Sequence, residues 1–194
     1  TFVGSFIALT ASYIILPNWE FYQIKKYIRE ALTANYHYLM KAADELLGKP
    51  RDVMAYKLAR KEVYVSSANL GSAFQRMLSE PKSKRQNNRD VHQMVVLNHI
   101  LSSYIATLIT YLQQTEKPKI NESHIRLRRK SLYTLSEVLK KIGAEDFKVY
   151  DMSEQQEGES ADKISSDEDD LLVTQLEFIN KLIMDIQKLN QEGD

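Results

Sequence analysis

The sequence predicts an all-α protein, an antiparallel helical bundle of four to five helices preceded by the end of a transmembrane helix. Hydrophobic residues recur three and four residues apart in residues 18–142 and again in residues 171–189, which is the spacing of amphipathic helices. The 194 residues include only six Gly and four Pro, fewer than a strand-and-turn protein needs. The opening segment carries no charged side chain before Glu20, and its length falls within the range of a membrane span.

Residues 1–17 are predicted to be the end of a last transmembrane helix. Pro17 breaks that helix, and an aromatic cluster follows where an aromatic belt would lie: Trp19, Phe21 and Tyr22. Three basic residues come next, as on the cytoplasmic side of a span: Lys25, Lys26 and Arg29. The alternative is a buried core helix of a soluble protein. If the membrane interpretation is right, residues 1–16 form a helix whose apolar side stays exposed in the isolated chain.

A cytoplasmic helical bundle is predicted over residues 18–150. The apolar face of its first helix comprises Phe21, Ile24, Ile28, Ala31, Tyr38, Ala42 and Leu46. Gly48 and Pro50 end that helix. Asp52 is predicted to cap a second helix, which runs to about Ser79.

The third and fourth helices follow the loop at residues 81–89. Asp90 is predicted to cap the third helix, which ends at Lys117 and Pro118. Asn121 is predicted to cap the fourth, with Gly143 as its C-terminal stop, and residues 147–150 are expected to pack back on the bundle. Four helices joined by short loops predict an up-down antiparallel arrangement.

Residues 151–170 are predicted to be an acidic disordered linker, because they contain nine acidic side chains and one basic side chain, Lys163, a local net charge of −8. Residues 171–190 are predicted to form a C-terminal helix that packs on the bundle or on a partner subunit. Its heptad-like seam comprises Leu172, Leu176, Ile179, Ile183 and Ile186. Further apolar residues widen that surface: Leu171, Phe178, Leu182 and Leu189. A homo-oligomer is therefore expected, with this helix contributing to the contact.

The residue patterns of common catalytic and metal sites do not occur in this sequence. Without Cys there is no disulfide scaffold, thiol nucleophile or Cys-ligated metal. No acidic residue precedes a histidine by three positions, and neither HExxH nor GxSxG occurs. His92 and His99 share a helix face but lack a third ligand at usable spacing. The sequence therefore predicts no enzyme activity, no cofactor and no catalytic or metal-binding residue.

Two basic clusters are candidates for an anionic partner. The first comprises Lys82, Lys84, Arg85 and Arg89, and the second Arg126, Arg128, Arg129 and Lys130. In an up-down bundle they lie at opposite ends, and aromatic residues do not alternate with them, so no nucleic acid is expected as a partner. Solvated charges that balance the acidic tract are the favoured explanation, and contact with anionic lipid headgroups or a partner is the alternative. A nucleic-acid-binding bundle would bind with steep salt dependence.

The first segment and the second helix resemble the fusaric acid resistance (FUSC) family, in its YccS-like branch. The resemblance lies first in a Thr-x-x-Gly start and a Pro-x-Trp exit, here Thr1, Gly4, Pro17 and Trp19. It continues in the stretch ARKEVYVSSANLGSAFQRMLSEPKSK, with its turn at Met77, Leu78, Glu80 and Pro81. It covers roughly residues 1–142.

The resemblance implies a bacterial inner-membrane protein of the aromatic-acid exporter type, of which this chain is the C-terminal cytoplasmic domain. It implies a membrane partner through residues 1–17, and a small aromatic acid as substrate of membrane segments outside this sequence. No transport residue matches a position here, so the substrate-binding residues are unknown. The predicted function is a cytoplasmic accessory or assembly domain of a FUSC-like transporter, for which the resemblance implies export of aromatic carboxylic acids. The alternative is a stand-alone soluble helical protein-interaction module.

Overall fold

A computed structural model describes residues 3–5, 19–50, 52–79, 88–114, 120–143, 147–151 and 170–192. Five long helices follow one another in this part of the chain: α1 (Trp19–Leu46), α2 (Val53–Ser79), α3 (Asn88–Gln114), α4 (Glu122–Lys141) and α5 (Asp170–Glu192). No β-strand occurs among the described residues. The all-α helical bundle predicted from the sequence is confirmed.

The predicted membrane segment is described only at residues 3–5, which are helical and exposed, with Val3 72% accessible. The rest of residues 1–17 lies outside the described residues, as do the side chains of the aromatic cluster at residues 19–22. The same holds for residues 152–169 of the predicted acidic linker.

Helices α1 and α2 form an antiparallel hairpin. Gly48 ends the turn after α1 with a φ of 66°, a conformation that a glycine adopts without steric cost. Asp52 then caps α2, because its carboxylate accepts hydrogen bonds from the backbone N–H groups of Met54 at 3.0 Å and Ala55 at 2.9 Å. The ring centroids of Tyr38 and Tyr56 lie 6.0 Å apart, so the start of α2 lies beside the later half of α1.

The N-termini of α3 and α4 differ in how well the sequence predicted them. Helix α3 already begins at Asn88, so the prediction of Asp90 as its N-cap is wrong, and Asp90 lies in the first turn. A carboxylate there still interacts favourably with the helix dipole. Asn121 caps α4 as predicted, and it does so in a capping box. Its side chain accepts from the His124 N–H at 3.1 Å, while His124 Nδ1 accepts from the Asn121 N–H at 3.0 Å.

The C-terminus of α4 lies beside the first half of α1, so these two helices are antiparallel. Gly143 follows α4 with a φ of 89°, and its carbonyl accepts a hydrogen bond from Arg29 Nη1 at 3.1 Å. Residues 147–150 then pack back on the bundle, as predicted. The Phe147 ring meets Tyr36 edge-on at 4.9 Å, and the Tyr150 N–H donates to Ser136 Oγ at 3.0 Å.

The core is a ring of four helices, α1, α3, α5 and α4, with α2 outside it. Helix α1 packs on α2, α3 and α4, while α5 packs on α3 and α4. Within the described residues α3 and α4 do not pack directly on each other, because α5 lies between them. The predicted seam of α5 is at most 1% exposed: Leu172, Leu176, Ile179, Ile183 and Ile186. Helix α5 therefore returns to the bundle, one of the two routes predicted for it, and completes the ring while α2 packs on the outside.

Candidate functional site

The centre of the bundle contains a hydrogen-bonded polar cluster. Asn35 of α1 and Asn98 of α3 are each 0% exposed, and Asn35 Nδ2 donates to Asn98 Oδ1 at 2.8 Å. Asn98 Nδ2 donates to Ser67 Oγ of α2 at 3.0 Å. Ser102 Oγ donates to Asn35 Oδ1 at 3.0 Å and is also 2.8 Å from the Asn98 carbonyl oxygen. The cluster therefore links α1, α2 and α3.

These side chains contribute to alignment of the three helices. A buried polar group without a hydrogen-bond partner costs about 1–3 kcal/mol, so a helix that slid out of this register would leave several groups unpaired. A single buried Asn sets register in coiled coils in the same way. Asn35, Asn98 and Ser67 are buried and the described members of the cluster hydrogen-bond one another, so we interpret the cluster as a structural feature.

A groove with a volume of about 650 Å³ lies between α1 and α2. From α1 it is lined by Arg29, Glu30, Thr33, Ala34 and His37, and from α2 by Leu58, Lys61, Glu62, Val65, Ser66 and Asn69. Charges of both signs and apolar side chains alternate along it. Leu58 and Val65 are 54% and 50% exposed, so its floor presents apolar surface to solvent.

Tyr38 lies beside Tyr56 near the start of α2. Tyr38 is 1% exposed, and burial, followed by the neighbouring Tyr56, raises the pKa of its hydroxyl well above its ordinary value of 10.0. Arg60 stacks over the ring of Tyr64, with its Cζ 5.6 Å from the ring centroid. Burial also raises the pKa of Tyr36, with a smaller contribution from Tyr150.

The histidines considered from the sequence do not come together. His92 and His99 are both exposed on α3, and the His92 ring packs 5.6 Å from the Phe74 ring. His37 faces the α1–α2 groove, and His124 is buried in its capping box. In the described part of the chain no three His, Cys, Asp or Glu side chains form a group that could hold a metal ion.

The two basic clusters are placed at opposite ends of the bundle where the structure describes them. Lys82, Lys84 and Arg85 lie outside the described residues, and Arg89 is exposed at the start of α3. Arg126 and Lys130 are exposed near the start of α4. Arg128 is only 2% exposed, so the expectation of uniformly solvated charges is wrong for this residue. Its helical position, on the same face as His124 and Leu132, is the signal that could have indicated its burial.

One helix of the described residues is long and apolar enough to cross a membrane: residues Arg89–Gln114 of α3, with a mean hydropathy of 1.5 in its most apolar window. The central helix of a soluble bundle has the same composition, and α3 packs here on α1, α2 and α5. It also carries the buried Asn98. Of its most apolar window, 39% is buried inside the bundle.

Comparison with known proteins identifies two relatives, one of which is a membrane protein. No family model matches the sequence, and no solved structure matches it. The chain is 30% identical over 120 residues to the inner membrane protein YccS of Escherichia coli, across 62% of this chain and 17% of that protein. It is 26% identical over 144 residues to an uncharacterized protein of Haemophilus influenzae, across 71% of this chain and 20% of that protein. The chain therefore spans about a fifth of the length of the relatives it matches, and it is homologous to an inner membrane protein.

Proposed function

We propose that this chain is a cytoplasmic assembly domain of a FUSC-like inner-membrane transporter, attached to the membrane through residues 1–17. Its similarity to the inner membrane protein YccS carries the proposal. The uncharged opening segment supports it, because Pro17 and Trp19 follow the apolar stretch and basic residues come next. The stand-alone soluble module is not favoured by this similarity.

In this proposal the domain acts by helix packing and not by catalysis. The bundle has a large core and outward-facing apolar side chains on α2 and α5, which suit contacts with other parts of a membrane assembly. A homo-oligomer belongs to the proposal for the same reason. Export of aromatic carboxylic acids is the proposed activity of the whole transporter, whose substrate path lies in segments outside this sequence.

Single cysteines test the membrane location and orientation, because the chain has none of its own. Lys57→Cys, at an exposed position near the start of α2, is introduced into the full-length protein. In intact spheroplasts a membrane-impermeant maleimide is expected to leave Lys57→Cys unlabelled and to label it after lysis. Labelling before lysis would contradict the cytoplasmic side, and recovery of the protein in the soluble fraction would contradict the membrane attachment.

A growth assay tests the transport proposal. Cells lacking the full-length protein are expected to be more sensitive to aromatic carboxylic acids than cells that carry it, and equally sensitive to aliphatic acids of matching pKa. Equal sensitivity to the aromatic acids would contradict the proposed substrate class.

A further inference from the structure

Helix α2 has a second apolar face opposite the one that packs on the bundle. Its buried face comprises Ala59, Val63, Ser67, Leu70, Ala73 and Met77. The outward stripe comprises Met54, Leu58, Lys61, Val65, Ala68 and Ser72, every one of them exposed. At about 100° per residue, Val65 lies about 200° around the helix from Val63. Met54 is 76% exposed, so nothing in the described chain covers this stripe.

The spacing of the outward stripe is that of a coiled-coil seam. Its six positions alternate four and three residues apart, which keeps them on one side of the helix over about five turns. Because α2 lies outside the four-helix ring and packs on α1 and α3 alone among the described helices, this side is open to another helix. The α1–α2 groove runs beside the stripe and is lined by Leu58, Lys61 and Val65, so a helix laid there would contact both elements.

We infer that this face binds α2 of a second copy of the chain in antiparallel orientation. A two-fold contact requires a surface that is complementary to itself. With the two-fold axis level with Val63, Met54 meets Ser72 of the partner helix and Leu58 meets Ala68. Lys61 then meets Val65. Met54 and Leu58 of one copy thus face small side chains of the other, as interdigitating helices require.

The charges at the centre of the stripe agree with the same arrangement. Lys61 and Glu62 are adjacent and both exposed. Beside a two-fold axis, the ammonium group of each Lys61 lies within reach of Glu62 on the other copy, while its methylene groups cover Val65. Because the two-fold axis pairs each Lys61 with a Glu62 of the other copy, a second copy matches the charges of this face better than an unrelated apolar helix does. The inference rests on the proposed homo-oligomer and names the surface that forms it.

Disulfide trapping tests the orientation in the 1–194 chain, held in detergent micelles. Met54→Cys and Ser72→Cys chains are oxidised separately and as a mixture. A disulfide needs Cα atoms within about 7 Å, and positions 54 and 72 of one helix are about 27 Å apart. The inference predicts linked dimers in the mixture and none from Met54→Cys alone. Linkage of Met54→Cys to itself would indicate a parallel pair, and absence of linkage in the mixture would overturn the inference.

Two substitutions measure the contribution of the stripe by sedimentation in the same micelles. Val65→Asp is expected to raise the dimer dissociation constant at least about tenfold, since a carboxylate would be buried in the contact. Val96→Asp on α3 is the matched control, because Val96 is also an exposed valine, 40% accessible, on a different face. Equal effects of the two changes, or an effect of Val96→Asp alone, would overturn the inference.

A charge exchange separates specific pairing from general loss of apolar surface. Lys61→Glu is expected to weaken the dimer, and Lys61→Glu with Glu62→Lys in the same chain is expected to restore it, because the exchanged pair is again complementary across the axis. A double variant as weak as the single one would contradict the pairing. The maleimide experiment on the full-length protein does not depend on this contact, so a failed dimer and a failed membrane assignment are distinguishable.

Discussion

Asn35 and Asn98 form a direct side-chain hydrogen bond of 2.8 Å at a place where neither residue has any contact with solvent. The two residues are 63 positions apart and belong to α1 and α3, which are parallel and separated in sequence by α2. Ser67 of α2 accepts the second hydrogen of Asn98. Asn98 of α3 is therefore hydrogen-bonded to both of the helices that precede α3 in the sequence, α1 and α2.

Removing one member of this pair is predicted to destabilise the bundle, because its buried hydrogen-bond partners are left unpaired. Asn98→Ala leaves Asn35 and Ser67 with unpaired buried groups and is expected to lower the free energy of unfolding by about 2–3 kcal/mol. Asn69→Ala, at an exposed position of α2, is the control and is expected to stay within about 0.5 kcal/mol.

The double variant Asn35→Leu with Asn98→Leu is expected to be less destabilised than the sum of its two single changes, because both partners become apolar together. Urea unfolding of the four chains completes the double-mutant cycle. Additivity within about 0.5 kcal/mol would show that the pair is not coupled.

Truncating the seam of α5 is predicted to destabilise the whole bundle. Ile183 is 0% exposed between α3 and α4, so Ile183→Ala is expected to cost about 2–4 kcal/mol through lost burial and the cavity left behind. The adjacent Met184 is 38% exposed, and Met184→Ala is expected to cost less than about 1 kcal/mol. Similar costs in denaturant titrations would contradict the placement of α5 in the ring.

The capping box of α4 is predicted to stabilise the N-terminus of that helix measurably. Asn121→Ala is expected to cost about 1 kcal/mol, because the His124 N–H loses its side-chain acceptor. Asn121→Asp keeps an acceptor at the same position and is expected to cost less than about 0.5 kcal/mol. If both changes cost the same in thermal unfolding, the hydrogen bond to the N3 backbone does not stabilise the helix.

Tyr38 is predicted to make the protein less stable in alkali. Burial raises the pKa of Tyr38 in the folded state, so above pH 10 the unfolded chain releases this proton first. The stabilisation is therefore complete below about pH 10 and is lost as pH rises beyond it. Tyr38→Phe has no proton to release and is expected to lose less stability between pH 8 and pH 11 than the unchanged chain. Parallel losses in urea unfolding would contradict this assignment.

The starts and ends of the helices were largely predictable from the sequence because they depend on local chemistry. Asp52 and Asn121 accept backbone hydrogen bonds at helix starts, and Gly48 and Gly143 adopt positive φ at helix ends. Asp90 failed as a cap because Asn88, two positions earlier, already begins the helix.

The choice of partner for each helix was not predictable in the same way. An apolar stripe requires burial but does not specify which other stripe covers it, so α2 and α5 were equally suited to the fourth place in the core. Asn35 and Asn98 did carry a signal, since each is a polar residue on the apolar side of its helix. No sequence signal indicated the α1–α2 groove, because the width of a groove depends on how far apart two helices pack.

The place of α5 between α3 and α4 has a consequence for synthesis of the protein on the ribosome. A chain emerges from its N-terminal end at about 5–20 residues per second, and the part already outside begins to fold. Helices α1 to α4 would emerge with the inner sides of α3 and α4 still uncovered, because α5 lies beyond residues 152–169. The nascent bundle must therefore keep an open cleft of apolar side chains for several seconds until α5 arrives, and during that interval it is a natural substrate for chaperones.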